Sequence, residues 1–84
     1  MRVSFVDESW DDYLYWARTD KKKLKRINLL IKDIKRSPYD GIGKPEALKH
    51  DLRGYWSRRI DHEHRIVYRV IEEEIRIYKC RFHY

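Results

Sequence analysis

The spacing of the apolar residues switches from a helical period to a period of two in the second half of this chain, and that change constrains the fold more than any other feature. Trp10, Tyr13, Leu14 and Ala17 recur at i, i+3, i+4 and i+7, and Leu24, Ile27, Ile31 and Ile34 continue at helical spacing. Two amphipathic helices are expected from this. Asp7 or Ser9 is placed to cap the first and Thr19 or Asp20 the second. Ser37 and Pro38 stop the second helix, because a residue before proline is driven out of the helical region. From residue 55 the period falls to two. Residues 55–60, 65–71 and 75–84 are rich in β-branched and aromatic side chains, with short polar turns at 61–64 and 72–74. Such a pattern predicts an antiparallel meander. A short strand over residues 2–6 puts Val3 and Phe5 on one face. The expected order is β-α-α-β-β-β, an α+β fold whose antiparallel sheet packs on two N-terminal helices and leaves its other face open. A chain of 84 residues holds one such core, so a single domain over 1–84 is expected.

Between the two patterns, Gly41, Gly43, Pro45 and Gly54 punctuate a long connection, with one helical turn expected near residues 45–50. Long ordered loops of this kind often carry function. In the strands, Arg65, Arg69, Lys79, Arg81 and His83 fall on odd positions, opposite the more apolar Ile66, Tyr68, Val70, Tyr78, Cys80 and Phe82. Strict alternation would make the open face cationic. The outer side of the second helix carries Lys21, Lys22, Lys23, Lys25, Arg26, Lys32, Lys35 and Arg36. With a net charge of +6, the surface should attract polyanions. No run approaches the ~20 apolar residues of a membrane span, and the N-terminus has no signal-like apolar stretch, so a cytoplasmic protein without membrane association is expected. A single cysteine, Cys80, agrees with a reducing compartment and reads as a half-buried strand residue.

Few familiar chemistries fit. Gly41-Ile42-Gly43-Lys44 lacks the spacing and hydroxyl residue of a phosphate-binding loop, and nucleotide cofactors are not indicated. His62 and His64 read as residues of a solvated turn, and Glu46 with His50 offers two ligands and no third, so no metal is expected. A loop carboxylate, a histidine near the C-terminus and several strand cations remain. That set suffices to cleave RNA, whose 2′-hydroxyl is an internal nucleophile. Glu46 would serve as general base, His83 as general acid, and Arg65 with Lys49 would hold the charge developing on phosphorus. The same residues also admit a plainer reading: Glu46 as a solvated loop carboxylate, His83 as an idle strand-end histidine, and Arg59 and Arg65 in surface ion pairs with Asp61 or Glu63.

Several segments, in this order and spacing, run nearly end to end: Trp10-Asp11-Asp12-Tyr13-Leu14-Tyr15-Trp16, Gly43-Lys44-Pro45-Glu46-Ala47-Leu48-Lys49, Tyr55-Trp56-Ser57-Arg58-Arg59-Ile60, Glu63-His64-Arg65-Ile66-Val67-Tyr68 and Cys80-Arg81-Phe82-His83-Tyr84. Together they closely resemble the YoeB toxins of the RelE/ParE superfamily. The resemblance implies a RelE-like, microbial-ribonuclease-like fold and a ribosome-dependent mRNA interferase that cuts message in the ribosomal A site. It implies neutralisation by a YefM-type antitoxin, and homodimers. Carried over by position, it makes Glu46 the general base, His83 the general acid and Arg65 the stabiliser of phosphate charge, with Lys49, Arg59 and Tyr84 contacting or supporting the substrate. It gives Lys22, Lys25 and Lys32 a role in docking on ribosomal RNA. Departures are Phe82 where tyrosine is common, and Arg76 and Lys79 where smaller or apolar residues are usual. Two alternatives stay open: a toxin of the same fold directed at gyrase, which needs no acid–base pair, and a noncatalytic RNA-binding module.

Overall fold

The computed structural model describes residues 1–83. Strand β1 (Arg2–Phe5) leads into helices α1 (Asp7–Thr19) and α2 (Lys21–Arg36). After the long connection come β2 (Glu46–Ala47), a 3₁₀ turn at His50–Leu52, β3 (Trp56–Arg59), β4 (Arg65–Ile71) and β5 (Glu74–Lys79). Among the described residues these strands form one five-stranded sheet in the order β1-β5-β4-β3-β2. The α+β arrangement expected from the pattern is present. No helix among these residues is long and apolar enough to cross a membrane.

Two details of the sheet differ from the expectation. It is mixed, because β1 runs parallel to β5 at one edge while the other pairings are antiparallel. Apolar alternation reports which face is buried but carries no information on direction, and β1 reaches β5 only after two helices, with no hairpin to reverse it. The connection also contributes a strand. Glu46 pairs with Ser57 and Ala47 with Trp56, where a helical turn was expected, and the turn itself lies later, at residues 50–52.

The helices pack on one face of the sheet. Trp16, Ile27, Leu30 and Ile34 meet Ile60, Ile66, Tyr68, Ile75, Ile77 and Cys80 in a single buried cluster. Asp20 caps α2 through its carboxylate, which accepts from the amides of Lys22 and Lys23. Helix α1 lacks the expected side-chain cap: Val6 occupies the cap position, and the Ser9 hydroxyl is buried and donates to the carbonyls of Val6 and Ile77. The face of α1 turned to the sheet therefore runs through Ser9 and Trp16. Trp10 is displaced to the rim, 47% exposed and stacked on Tyr13 against Phe5.

A bulge decides which residues of β5 face the helices. Val67 pairs with Lys79 but Tyr68 with Ile77, so Tyr78 is the extra residue. The phase of the strand flips there: Ile75 and Ile77 enter the core before the bulge and Cys80 after it. Cys80 is fully buried, and burial pushes its thiol up to about 12. The parity expectation holds for Arg65, Arg69 and Lys79 but fails for two residues. Lys79 pairs with Val67, shares its face and reaches Glu8 of α1 at 3.5 Å. Tyr78 lies over the open face against Tyr55, 4.5 Å between ring centroids. Arg81 lies flat on Tyr15 of α1, with Cζ 3.5 Å from the ring centroid.

Candidate active site

The open face of the sheet is assembled by register. Paired antiparallel residues point to the same side, so Glu46, Ser57 and Val67 share a row, and Arg59 with Arg65, a paired couple two residues further along, shares their face. Two strand spacings of ~4.8 Å and two residues of ~3.4 Å place the Cα atoms of Glu46 and Arg65 roughly 12 Å apart. A phosphodiester fits between two side chains of that length.

The strand bearing Glu46 is held in place by a buried arginine. Arg58 has no solvent exposure; its guanidinium meets Asp33 at 2.5 Å and donates to the carbonyls of Ser37, Asp40 and Ile42 at 2.6, 3.1 and 3.2 Å. Tyr68 accepts from Arg58 at 3.3 Å and donates to the Pro38 carbonyl. One cation thus gathers the start of the long connection against the sheet. The Ile42 amide, followed by Arg58 and Arg36, holds the Asp33 carboxyl down at about 2. Gly43 completes the path. Its φ is +79°, a Cβ there would stand 2.8 Å from Leu30, and its carbonyl accepts from the Arg59 amide at 2.7 Å.

The C-terminal segment is clasped from the other side. The Asp12 carboxylate accepts from the Cys80 amide at 3.1 Å, and the Trp16 indole donates to the Cys80 carbonyl at 2.7 Å. Two residues on, His64 Nδ1 accepts from the Phe82 amide at 2.7 Å and the Phe82 carbonyl accepts from the Arg65 amide at 3.0 Å. Because Nδ1 accepts, it carries no proton there and the clasp needs His64 uncharged. The imidazole stands edge-on to Trp16, 4.9 Å between ring centroids. Phe82 has φ +63°, the turn that ends the strand and delivers His83 beside the start of β4. The turn before β4 is tightened by Asp61, whose carboxylate accepts from the amides of Glu63 and His64 and pairs with Lys23 at 2.8 Å. Burial raises the Asp61 carboxyl, but Lys23 and the two amides outweigh it and bring it to about 2.

Between these two anchored segments sits Arg65. Arg65 is only 9% exposed, and its Nε and Nη1 find no hydrogen-bond partner among the described residues. Asp61 is engaged with Lys23 and Glu63 lies 3.6 Å from His64, so neither carboxylate takes up Arg65 as the plainer reading supposed. A buried guanidinium without partners is costly unless an anion reaches it. Arg59, its cross-strand neighbour, is exposed.

The other expected residues are distributed as follows. Glu46 and Lys49 are exposed and line a depression of about 310 Å³ with Ala47, Leu48, His50 and Leu52. His83 is exposed. Lys22, Lys25 and Lys32 are exposed on the outer side of α2, remote in the fold from the open sheet face. Tyr84 lies outside the described residues. His62 is in the solvated turn as expected, whereas His64 is buried, because Trp16 and the Phe82 amide enclose it. Arg58 and His64 are the residues sequence reasoning missed. Both read as surface types, and only their long-range partners give them a role.

Solved structures with this architecture define the class first. YafQ of Escherichia coli superposes with a TM-score of 0.73 at 16% identity over 98% of this chain and 93% of its own, which establishes a shared fold. Much greater likeness is found to the YoeB/ParE toxin of Agrobacterium tumefaciens, with TM-score 0.98 and 51% identity over the whole of both chains. The YoeB dimer of Staphylococcus aureus and the heterotetrameric YoeB-YefM complex from the same organism each give a TM-score of 0.93 and 48% identity over 100% of this chain and 98% of theirs. Toxin YoeB of Escherichia coli K12 is 57% identical over the full length of both chains, and that of Synechocystis is 60% identical over 100% of this chain and 98% of its own. The family described as YoeB-like toxin of bacterial type II toxin-antitoxin system matches residues 5–84. The chain belongs to the YoeB toxin family.

Proposed function

We propose that this toxin is a metal-independent endoribonuclease that cleaves mRNA in the ribosomal A site. The observation that carries the proposal is the buried guanidinium of Arg65, whose Nε and Nη1 have no hydrogen-bond partner among the described residues, set on the open face between the strand of Glu46 and the clasped segment of His83. Glu46, as carboxylate, takes the proton of the 2′-hydroxyl while that oxygen attacks phosphorus. Negative charge grows on the nonbridging oxygens, where Arg65 is already desolvated and needs no reorganisation. His83, as imidazolium, gives its proton to the departing 5′-oxygen. One fragment ends in a 2′,3′-cyclic phosphate and the other begins with a 5′-hydroxyl. DNA lacks the nucleophile and resists. Lys49 and Arg59 hold flanking phosphates, and Tyr84 supports the substrate.

Residues 1–84 act as one toxin domain in the cytoplasm. Lys22, Lys25 and Lys32 dock the toxin on ribosomal RNA, through phosphates that give position more than sequence choice. The relatives' solved assemblies support a YefM-type antitoxin as partner, and a homodimer. Primer extension on a message translated in a reconstituted system tests the reading, with wild type, Glu46→Ala and His83→Ala compared with and without ribosomes. Cuts should require ribosomes and fall about a hundred- to ten-thousand-fold in each variant. A folded wild type that makes no cuts refutes the proposal.

A further inference from the structure

The open face carries a second cationic couple that the proposed chemistry does not use. Arg69 and Arg76 are direct cross-strand partners on β4 and β5, as Arg59 and Arg65 are on β3 and β4. Like charges in that relation destabilise a sheet. Arg76 is offset by Glu74 at 3.0 Å, but none of the ion pairs among the described residues includes Arg69, whose side chain is exposed. Beside this couple, the half-buried rings of Tyr55 and Tyr78 meet at 4.5 Å and 47°, arching over the row that holds Val67. Arg69 covers the Tyr55 ring with Cζ 5.5 Å from its centroid. The bulge at Tyr78 is what brings this ring to the open face.

We propose that Tyr55, Tyr78 and Arg69, backed by Arg76, form a subsite for a flanking nucleotide of single-stranded RNA, the tyrosines stacking its base and the arginine holding its phosphate. This rests on the reading of the open face as the RNA-binding face. Four residues of β4 separate Arg69 from Arg65, ~14 Å at ~3.4 Å per residue, so the nucleotide bound here is not the one that reacts. Charge selects the ligand: an unpaired guanidinium opposite another suits a phosphate, and aromatic faces beside it suit bases of any sequence. Tyr78 is also held in an electropositive setting. The neighbouring Tyr55 hydroxyl, with Arg76 and Arg69, lowers the Tyr78 hydroxyl below its ordinary range despite burial.

The test uses the full chain and fluorescein-labelled RNA heptamers made uncleavable by one central 2′-deoxynucleotide, with affinity read by anisotropy. Tyr78→Leu should weaken binding about five- to hundred-fold, and Tyr78→Phe, which keeps the ring, should restore most of it. Heptamers with a single abasic position complete a double-mutant cycle. At one flanking position the abasic loss and the Tyr78→Leu loss should not add. Arg69→Gln should reduce the slope of log K against log salt by about 0.7. Additive losses at every position, with an unchanged salt slope for Arg69→Gln, overturn the subsite and leave the tyrosines as a roof over Val67. If Tyr78→Leu does not fold, the exposed Arg69 decides alone: an unchanged slope overturns the proposal. Cleavage is not read here, so an inactive Glu46 and His83 would leave this result intact. A wild type that cuts message while all variants bind alike would defeat the subsite only.

Discussion

Replacing His64 by phenylalanine keeps a ring against Trp16 and removes one atom's function, the Nδ1 that accepts from the Phe82 amide. Phe82 is 54% exposed, so water can reach the freed amide and the cost stays near the net value of one hydrogen bond, about 1 kcal/mol. For a domain of this size that lowers Tm by roughly 4–8 °C. The effect on the proposed catalysis should be larger in kind. The clasp sets the direction in which the chain delivers His83, and 1 kcal/mol is about a fivefold loss of the clasped population. Single-turnover cleavage should fall at least about fivefold, up to the hundred- to ten-thousand-fold attributable to a general acid. His64→Asn puts an amide oxygen near the position of Nδ1 and should recover the rate, while the lost ring contact with Trp16 keeps its Tm below wild type. The reasoning is refuted if His64→Phe cleaves like wild type while His83→Ala is dead.

Other consequences follow from the same contacts. Arg58→Met strips the donor from the Ser37, Asp40 and Ile42 carbonyls and leaves Asp33 to Arg36 and the Ile42 amide, a loss of about 3 kcal/mol or more, from the stranded carbonyls, that thermal denaturation should register as a large fall in Tm. Asp33 and Asp61 both titrate near 2 in the folded protein, below the unfolded value of about 3.9. Depressed carboxyls stabilise above the unfolded value, so Tm should hold steady above pH ~4 and fall as pH drops toward 2, and Asp61→Asn should flatten that fall. Glutamate at Lys22, Lys25 and Lys32 should weaken ribosome pelleting and its salt dependence while leaving folding stability within about 1 kcal/mol of wild type, since all three are exposed. Intact ribosome binding would return those lysines to a solvated helix face. Cys80, with its thiol pushed up to about 12, should resist alkylation at pH 8 until the chain is unfolded.

Much of the architecture was legible because it depends on local period. Residues 65–71 read as a strand and form one with the same bounds, and Asp20 caps the second helix as its position suggested. The candidate site was only partly legible. The residue types at Glu46, Arg65 and His83 named a chemistry, and the motif order named a family, but on the residues alone idle surface roles were the favoured reading. The errors share one cause. Trp10, Tyr78, Arg81 and His64 were each assigned from local pattern, and each is governed by something nonlocal: the rotation of α1 on the sheet, a one-residue bulge, or a partner on another element.

The sequence by itself determined two helices, a meander, a cationic surface and a set of side chains able to cleave RNA, because periodicity and composition are properties of short windows. Tertiary structure alone decided that β1 joins in parallel, that Glu46 lies on a strand and shares a face with Arg65, and that Arg65 is buried with its Nε and Nη1 unpartnered among the described residues. It also decided that one arginine, Arg58, spends its charge inside to shape a loop, while its neighbour Arg59 stays outside. Adjacent strand residues point to opposite faces, so identical side chains one position apart meet opposite fates. Which face is core is set by what packs on it.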